Sequence, residues 1–398
     1  MISFPYPSQV DDAQGAEPAV SPVRPIVIVI NGIHAKSGGG VTYLKKMLPL
    51  FVERDDIKVH LFLHASQIET FYPFPDRALV TTFNFSLNPI KSLFWEQFNL
   101  PLIARAMGAD VVYSPANFGP VFARNHVALL RNAVSVIRLT SSIKIAMYWG
   151  LLWFATTVTF LSSKRVIAVS KYASRTLTIG IPKVLKKKLS IIHHGVTHSE
   201  EYGTMSERSP NLLLAVSDIY VQKNYINLIK AMAILVKKHP ELELKIVGRK
   251  IDKPYTKNIE QLVEQYGLSA HIKLLGHMPH NDLTALYQKC RIFVFPSLIE
   301  TFGNPLVEAM VAGAPIACSN TSAMPEIVGE AGFTFNPLSP DSISDAVSQM
   351  HISDDLRADL SRKAIVRAKN FTWEKCANST VKVLMSAVSH IDRRPEKF

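Results

Sequence analysis

The chain has 398 residues, of which 47% are hydrophobic and 19% charged, and its formal net charge is +12 at pH 7. A single hydrophobic core stops growing at about 250 to 300 residues, so this length predicts two domains and excludes one small domain. The composition is that of a globular protein and excludes a largely disordered chain.

The N-terminal segment and the cysteines bear on the cellular compartment. Residues 1–24 mix proline, serine and acidic residues without the apolar run of a signal peptide, so we expect them to be disordered. Cys290, Cys318 and Cys376 are odd in number and far apart, which predicts reduced, buried thiols. Both observations favour a cytoplasmic protein, with the inner face of the plasma membrane as an alternative location.

Apolar, β-branched runs alternate with longer helical patterns along the chain, which is typical of parallel α/β sheets. Strands are predicted in the first half at 26–31, 58–64, 110–114, 127–130, 165–170 and 190–193. Strands are predicted in the second half at 211–217, 242–248, 271–276, 291–296 and 315–319. This pattern predicts two Rossmann-like, doubly wound parallel-sheet domains that face a central cleft.

The same pattern divides the chain into segments. Residues 25–198 form the predicted first domain, and residues 211–375 form the second. The polar stretch 199–210 lacks apolar periodicity and is the predicted linker. Residues 376–398 are expected to form a helix and tail that pack back on the first domain.

Positive charge is concentrated in the first domain. Residues 25–198 contain 20 Lys and Arg against 7 Asp and Glu, with local clusters at 164–165 and 186–188. This excess of positive charge indicates one of two surfaces. It is either a basic surface in contact with solvent only, or a face directed at an anionic ligand, namely lipid headgroups or a phosphate-bearing acceptor. Nucleic acid is a disfavoured partner, because no aromatic-basic stacking pattern or zinc motif accompanies the charge.

The segment 145–162 is long, apolar and without a charged side chain. A transmembrane helix needs about 20 predominantly apolar residues, so the segment is borderline in length. The predicted strand at 165–170 follows directly, and a membrane span would remove that strand from its sheet. The pattern therefore favours a helix of the first domain, with a helix lying in a membrane surface as the alternative.

Three consecutive glycines, Gly38, Gly39 and Gly40, follow the first strand and open an amphipathic helix. Glycine lets backbone amides approach an anion closely, and a helix N-terminus carries about half a positive charge, so this turn suits a diphosphate. The segment matches neither the G-x-G-x-x-G fingerprint nor the Walker A sequence. A plain tight turn is the alternative interpretation.

The strongest pattern lies after the predicted strand at 291–296. Glu300 and Glu308 are separated by seven residues, and residues 302–304 stand directly before a proline that suits the first turn of a helix. This order places one carboxylate at the strand exit, the other on the helix, and free backbone amides between them, which suits a polyol ligand. A helix cap and a surface salt bridge are the alternative.

Taken in order, these segments resemble glycosyltransferase family 4, a family of retaining enzymes with the GT-B fold and a Glu-x7-Glu signature around a Gly-Phe-Gly-like loop. The resemblance is close over residues 211–377 and looser over residues 26–196. Successive family segments match residues 215–224, 276–290, 322–337 and 371–377.

The resemblance implies that the first domain binds the acceptor and that the second binds the nucleotide-sugar donor. It also implies a role for each matching residue of the second domain. Glu308 would hold the donor ribose, and Glu300 would face the transferred sugar. Lys223 would neutralise the diphosphate opposite the glycines at 38–40. Met278 would contact the base through its backbone. The transferred sugar or its phosphate would be bound by the amides of Phe302, Gly303 and Asn304.

The chain departs from the family pattern at two positions. Asp218 stands where many members carry a phosphate-binding arginine, and Arg249 is the candidate replacement, with an exposed, uninvolved arginine as the alternative. Arg131 stands where many members place a histidine on the acceptor side, and we expect it to replace that histidine. Other candidates for that role, which are more typical of structural positions, are His126, His193 and His194.

No Asp-x-Asp motif and no His or Cys cluster with metal spacing occurs, so we expect no cofactor and no metal. The charge of a leaving group would then be met by Lys223, the glycine amides and a helix dipole.

The resemblance implies a metal-independent, retaining hexosyltransferase. Its substrates would be a nucleotide-diphosphate sugar and a saccharide or lipid-linked saccharide, in cell-surface polysaccharide or lipopolysaccharide assembly. A Rossmann dehydrogenase is disfavoured, because the cofactor fingerprint is missing. A non-catalytic polyanion- or membrane-binding protein is the alternative function.

Overall fold

A computed structural model describes residues 24–36, 38–85, 88–131, 143–198 and 203–388. Outside the described residues lie almost all of the expected disordered segment 1–24, residues 199–202 of the predicted linker, and the tail from residue 389.

The first sheet has seven parallel strands in the order β3-β2-β1-β4-β5-β6-β7. The strands are β1 (Ile26–Asn31), β2 (Ile57–His64), β3 (Leu79–Phe83), β4 (Val111–Ser114), β5 (His126–Leu130), β6 (Arg165–Ala168) and β7 (Leu189–Ile191). Valine, isoleucine and leucine dominate the central strands because helices cover both faces of a parallel sheet.

The helices of the first sheet are α1 (Gly39–Val52), α2 (Ile68–Phe71), α3 (Pro89–Phe94), α4 (Leu100–Ala106), α5 (Ile143–Ser162) and α6 (Lys171–Thr176). A π-helical turn, Trp95–Asn99, joins α3 to α4. Among the helices that the structure describes, α5 included, none is long and apolar enough to cross a membrane.

The second sheet has six parallel strands in the order β10-β9-β8-β11-β12-β13. The strands are β8 (Leu212–Val216), β9 (Glu243–Val247), β10 (Ile272–Gly276), β11 (Ile292–Phe295), β12 (Ile316–Ser319) and β13 (Gly332–Phe335). The helices are α7 (Tyr225–Lys238), α8 (Lys253–Gln265), α9 (His280–Lys289), α10 (Asn304–Val311), α11 (Met324–Val328), α12 (Pro340–Ile352), α13 (Asp354–Ala368) and α14 (Trp373–Ala387).

These two sheets confirm the predicted fold class of two doubly wound, parallel α/β domains. The prediction missed β3 and β13. Each is the outermost strand of its sheet, and β3 is only partly buried, so neither carries the continuous apolar run that reveals a central strand. The cysteines at 290, 318 and 376 are buried and unpaired.

Both sheets contain a switch point that positions the site. The strand order turns between β1 and β4 in the first sheet and between β8 and β11 in the second. Loops that leave the carboxyl ends of two such neighbouring strands diverge and open a crevice for a ligand. The loops after β1 and β11 carry the glycines at 38–40 and the Glu300 segment, so both motifs meet at this level.

The C-terminal helix α14 belongs spatially to the first sheet. It packs on α1 and contacts β4, β5 and β6. Arg54 Nη1 donates a 2.9 Å hydrogen bond to Asn378 Oδ1, and Arg165 Nε donates a 3.1 Å bond to Ser386 Oγ. The chain therefore crosses between the two sheets a second time, beside a bridge between Val196 and Thr372.

Candidate functional site

A cavity of about 440 Å³ lies between the carboxyl ends of the two sheets. The first domain contributes side chains or backbone from His34, Lys36, Gly39, Gly40, Tyr43, Arg131 and His194. The second contributes Lys223, Glu300, Thr301, Phe302, Gly303, Asn304 and Pro305, and α14 adds Trp373. Most of the residues expected at the site are therefore brought to one cavity.

Lys223 and Glu300 form an ion pair in this cavity. Lys223 Nζ donates to Glu300 Oε1 at 2.5 Å, and both side chains are about 85% buried. Lys223 ends a short 3₁₀ turn whose next residue, Asn224, has a left-handed φ of 59°. Asn224 Nδ2 donates to the carbonyls of Pro296 and Pro337 at 3.0 and 2.7 Å, which fixes the turn against β11 and the loop after β13. Each charge is thus positioned and satisfied by the other.

Hydrogen bonds of the Thr301 side chain and backbone connect the second domain to the first. Thr301 Oγ1 donates to the carbonyl of Arg131 at 2.5 Å, and Ser170 Oγ donates to the carbonyl of Thr301 at the same distance. The amide of Glu300 donates to Ser322 Oγ at 2.9 Å. These bonds hold the loop that carries Glu300 across the interface rather than leaving it free in solvent.

The N-terminus of α10 opens into the cavity. Gly303 precedes the helix with φ +89°, a conformation that side-chain-bearing residues rarely adopt, and Pro305 occupies the first turn. The first amides of a helix have no intrahelical acceptor and attract an anion or a polar oxygen. Phe302, Gly303 and Asn304 are therefore arranged to bind such a group.

Glu308 occupies a separate, smaller cavity of about 80 Å³. Tyr287 Oη donates to Glu308 Oε2 at 3.0 Å, and burial raises the pKa of the Glu308 carboxyl. The same small cavity is lined by Val196, His198 and His280. Glu300 and Glu308 thus lie on one helix–loop unit but face two separate cavities, which share no lining residue.

Arg131 is a largely buried cation at the end of β5. Its amide donates to Asn117 Oδ1 at 2.8 Å, and burial lowers the pKa of its guanidinium. Within the described residues its Nε has no hydrogen-bond partner. Gly40 lies against the guanidinium so closely that an added Cβ would collide with it. An incompletely paired guanidinium beside open glycine amides is a place for an anion.

Four expected donor residues do not line the 440 Å³ cavity: Gly38, Arg249, Met278 and, as described above, Glu308. Arg249 does not line the 440 Å³ cavity, because its guanidinium binds Asp218, with Nη2 at 2.5 Å from Oδ2. Asp218 stands where the resemblance implies a phosphate-binding arginine, and it binds Arg249, the residue that we expected to replace that arginine. Met278 is partly buried in the turn between β10 and α9 and packs against the main core.

The alternative histidines differ in their surroundings. His126 is fully buried and binds Ser114 Oγ at 2.9 Å and Ser163 Oγ at 3.1 Å, which marks a structural residue. His193 lies 3.0 Å from Glu326 Oε1. His194 alone of the three lines the cavity, and burial, together with Arg131 and His193, lowers its pKa to about 3.

The sequence prediction missed a carboxylate–histidine pair at the cleft. His34 Nε2 lies 2.8 Å from Glu96 Oε1, and Asn31 Nδ2 donates to the same oxygen at 2.7 Å. Burial alone would raise the pKa of Glu96, but His34 and Asn31 lower it below its ordinary value. His34 is 25% exposed and lines the cavity. The buried carboxylate of Glu96 therefore holds the His34 ring at the wall of the cavity. The only sequence signal was one acidic residue within an aromatic stretch at 94–98.

Part of the chain is similar in sequence to known proteins. Residues 204–367 match the family described as "Glycosyl transferases group 1". Over 121 residues, 30% of this chain, the sequence is 40% identical to O-antigen chain mannosyltransferase B of Escherichia coli. The match spans 32% of that protein, so the chain covers about a third of its length.

Solved structures resemble almost the whole chain. Sucrose-phosphate synthase from Thermosynechococcus elongatus superimposes with a TM-score of 0.73 at 17% identity, over 91% of this chain and 99% of that one. Anabaena Alr3699/HepE in complex with UDP and glucose superimposes with a TM-score of 0.71 at 18% identity, over 91% and 100% of the two chains. At these identities the likeness establishes the fold alone, and it confirms the predicted GT-B architecture.

Proposed function

We propose that this protein is a glycosyltransferase that moves a hexose from a nucleotide-diphosphate sugar to a saccharide or lipid-linked saccharide. The observation that carries the proposal is the cavity between the two sheets. There the Lys223–Glu300 pair and the α10 N-terminus face Arg131 and the glycine amides. The match of residues 204–367 to glycosyl transferases group 1 supports it.

The donor would replace the contact between Lys223 and Glu300. A diphosphate gives Lys223 a stronger anionic partner than one carboxylate, and the released Glu300 can accept hydrogen bonds from sugar hydroxyls. Arg131 and the amides at 38–40 would approach the diphosphate from the opposite wall. Glu308, in the separate cavity of about 80 Å³, would accept hydrogen bonds from the ribose hydroxyls.

Transfer would proceed with retention, as in family 4. The bond between the anomeric carbon and the diphosphate oxygen breaks while the acceptor hydroxyl attacks from the same face. The hydroxyl proton passes to the departing diphosphate, which balances the step without a metal. Lys223 and the amides of α10 stabilise the charge that develops on the leaving group. Transfer should therefore persist in excess EDTA.

The acceptor would enter along the first domain. His34, held by Glu96, and Lys36 line that side of the cavity and can orient acceptor hydroxyls or a phosphate. Mannose is the first sugar to test, because the relative with 40% identity is named as a mannosyltransferase acting on an O-antigen chain. The same likeness supports a role in lipopolysaccharide or other cell-surface polysaccharide assembly.

Peripheral contact with an anionic membrane, at the inner face of the plasma membrane, completes the proposal. The large apolar side chains that α5 exposes include Met147, Tyr148, Leu151 and Phe154, at helical spacing. This face lies on the basic first domain, and such a combination suits a helix at a lipid surface. A lipid-linked acceptor would then be presented beside the cleft.

The test is a screen of UDP-, GDP- and TDP-sugars for a rise in Tm, followed by product formation with an oligosaccharide acceptor. One donor at a hundred times its Kd should stabilise the chain by about 2.7 kcal/mol. Lys223→Ala and Glu300→Gln should lose turnover, whereas Lys250→Ala, an exposed lysine paired with Glu260, should keep it.

The anomeric configuration of the product, read by NMR, tests retention. Stabilisation by unrelated polyanions that survives Glu300→Gln, without stabilisation by any donor, would instead favour the non-catalytic polyanion-binding alternative.

A further inference from the structure

A second cluster of ligand-type side chains lies on the second domain, away from the cleft. His239 follows α7, Glu241 stands two residues before β9, and His351 is in the last turn of α12. The amino end of a parallel strand lies at the sheet edge opposite its carboxyl end. The cluster is therefore on the far side of the sheet from Glu300 and is independent of the proposed transfer reaction.

The three side chains are close enough to share one ion. Their ligand atoms all lie within 4.8 Å of one another. Glu241 Oε1 is 2.8 Å from His351 Nε2 and 4.0 Å from His239 Nδ1. A tetrahedral zinc ion with bonds of about 2.0 to 2.1 Å separates its ligands by roughly 3.3 Å. The observed distances bracket that value, so small side-chain adjustments suffice.

The histidines are held in place by their surroundings. The side chains of His239 and His351 are 16% and 10% exposed, whereas Glu241 is 42% exposed and leaves one open side. His239 Nε2 lies 2.7 Å from Ser348 Oγ, so a hydrogen bond on one ring nitrogen leaves Nδ1 turned to Glu241. This bond is the kind of outer contact that fixes the tautomer of a metal-binding histidine.

His351 has a second ring nitrogen, Nδ1, that is buried and is not used by another hydrogen bond among the described residues. Its backbone carbonyl accepts from Arg291 Nη2 at 2.7 Å and Arg357 Nη1 at 2.6 Å, which anchors the end of α12. Asp354 pairs with both arginines and offsets part of their charge.

We propose that His239, Glu241 and His351 form a zinc site with one position open to water. Two imidazoles and one carboxylate favour zinc over magnesium or calcium, which prefer all-oxygen sites. The ion would join the start of β9 to the end of α12. The second and third ligands are 110 residues apart, so no local sequence motif reveals the site.

The experiment uses the full chain, freed of metal with EDTA, dialysed, and titrated with Zn²⁺ by calorimetry and with Co²⁺ by visible absorption. We expect one ion per chain, a higher Tm with Zn²⁺, and a Co²⁺ spectrum of low coordination number. His351→Asn and Glu241→Gln should abolish these effects. Ser348→Ala should weaken binding by about 10- to 100-fold through the loss of ring orientation.

The matched control is His277→Asn, an exposed histidine of the same domain, which should bind as the wild type does. Because Glu241 is largely accessible, its variant should fold and keeps the test valid if His351→Asn is unstable. Absence of stoichiometric binding would overturn the proposal, and so would binding that survives Glu241→Gln.

Discussion

The guanidinium of Arg131 fills the space into which a side chain at position 40 would project. Gly40→Ala must therefore displace that cation from the cavity without removing it from the protein. Under the proposed function we expect kcat/KM for the donor to fall at least tenfold, equal to about 1.4 kcal/mol. The control is Gly150→Ala, in α5 and outside the cavity, whose added Cβ meets nothing within 4 Å. Equal kinetics in the two variants would mean that Arg131 does not act on the donor.

Substitutions in the Lys223–Glu300 ion pair should mainly change kcat, whereas substitution of Glu308 should mainly change KM. Lys223→Ala should lower kcat about thirty- to a thousandfold, because the diphosphate gains charge only as the glycosidic bond breaks. Glu300→Gln should also lower kcat, since it acts beside the reacting sugar. Glu308→Gln should mainly raise the donor KM, because the ribose contact is the same in ground and transition states. Near-normal kcat in both of the first two variants, with unchanged Tm, would place the active site elsewhere.

Glu96 should influence acceptor use although it does not line the cavity. Glu96→Gln keeps a polar side chain near His34 but removes the buried negative charge. We expect kcat/KM for the acceptor to fall about tenfold, while acceptor-independent hydrolysis of the donor stays unchanged. The exposed Glu69→Gln is the matched control. A parallel loss of donor hydrolysis would show that the pair only supports the fold.

Two buried histidines should make the fold sensitive to mild acid. Burial lowers the pKa of His126 to about 4 and that of His194 to about 3, from 6.5. Each depressed pKa contributes stability that is present above pH 6.5 and is lost as the pH falls toward the folded value. Each of the two histidines should therefore lower the free energy of unfolding by about 2 kcal/mol at pH 5 relative to pH 7.

Urea unfolding at both pH values measures this loss. His126→Asn should shrink the difference between pH 7 and pH 5, whatever its effect on absolute stability. His277→Asn, at an exposed position, should leave the wild-type difference in place. A wild-type chain equally stable at both pH values would contradict the prediction.

Binding to anionic vesicles should weaken steeply with salt. Exposed charges are screened beyond a Debye length of about 10 Å at 0.1 M, so a contact led by the basic first domain is lost at high ionic strength. Leu151→Ser and Phe154→Ser should weaken binding at low salt as well, whereas Val366→Ser, exposed on the second domain, should not. Co-sedimentation with vesicles measures the binding of each variant. Equal binding to neutral and anionic vesicles would contradict a contribution of the basic surface.

The sequence was sufficient to place a motif in the fold when all residues of the motif lie in one strand–loop–helix unit. The Glu300 segment and the glycines at 38–40 could be placed at the cleft because each directly follows a strongly apolar strand. The family resemblance implied that Glu300 and Lys223 serve one donor site, but the ion pair between them, 77 residues apart, was not predicted.

Longer-range relationships had no local signal. His34 and Glu96 are 62 residues apart and meet only because the Trp95–Asn99 turn packs beside β1. Arg249 looked available for a phosphate because the sequence does not show that its loop lies against Asp218. The edge strand β3 was missed for a related reason, since half-exposed strands lack the apolar run that marks central ones.

The return of α14 to the first sheet makes that domain discontinuous along the chain. A protein truncated after residue 198 would not form an independent N-terminal domain. It would lack α14, so the surfaces of α1 and of β4 to β6 that α14 covers would be exposed to solvent. It also gives the two lobes a pair of parallel connections, one near Val196 and one near Thr372, that touch each other. Because the lobes are joined by two chain crossings, a single proteolytic cut in one crossing would leave them covalently connected through the other.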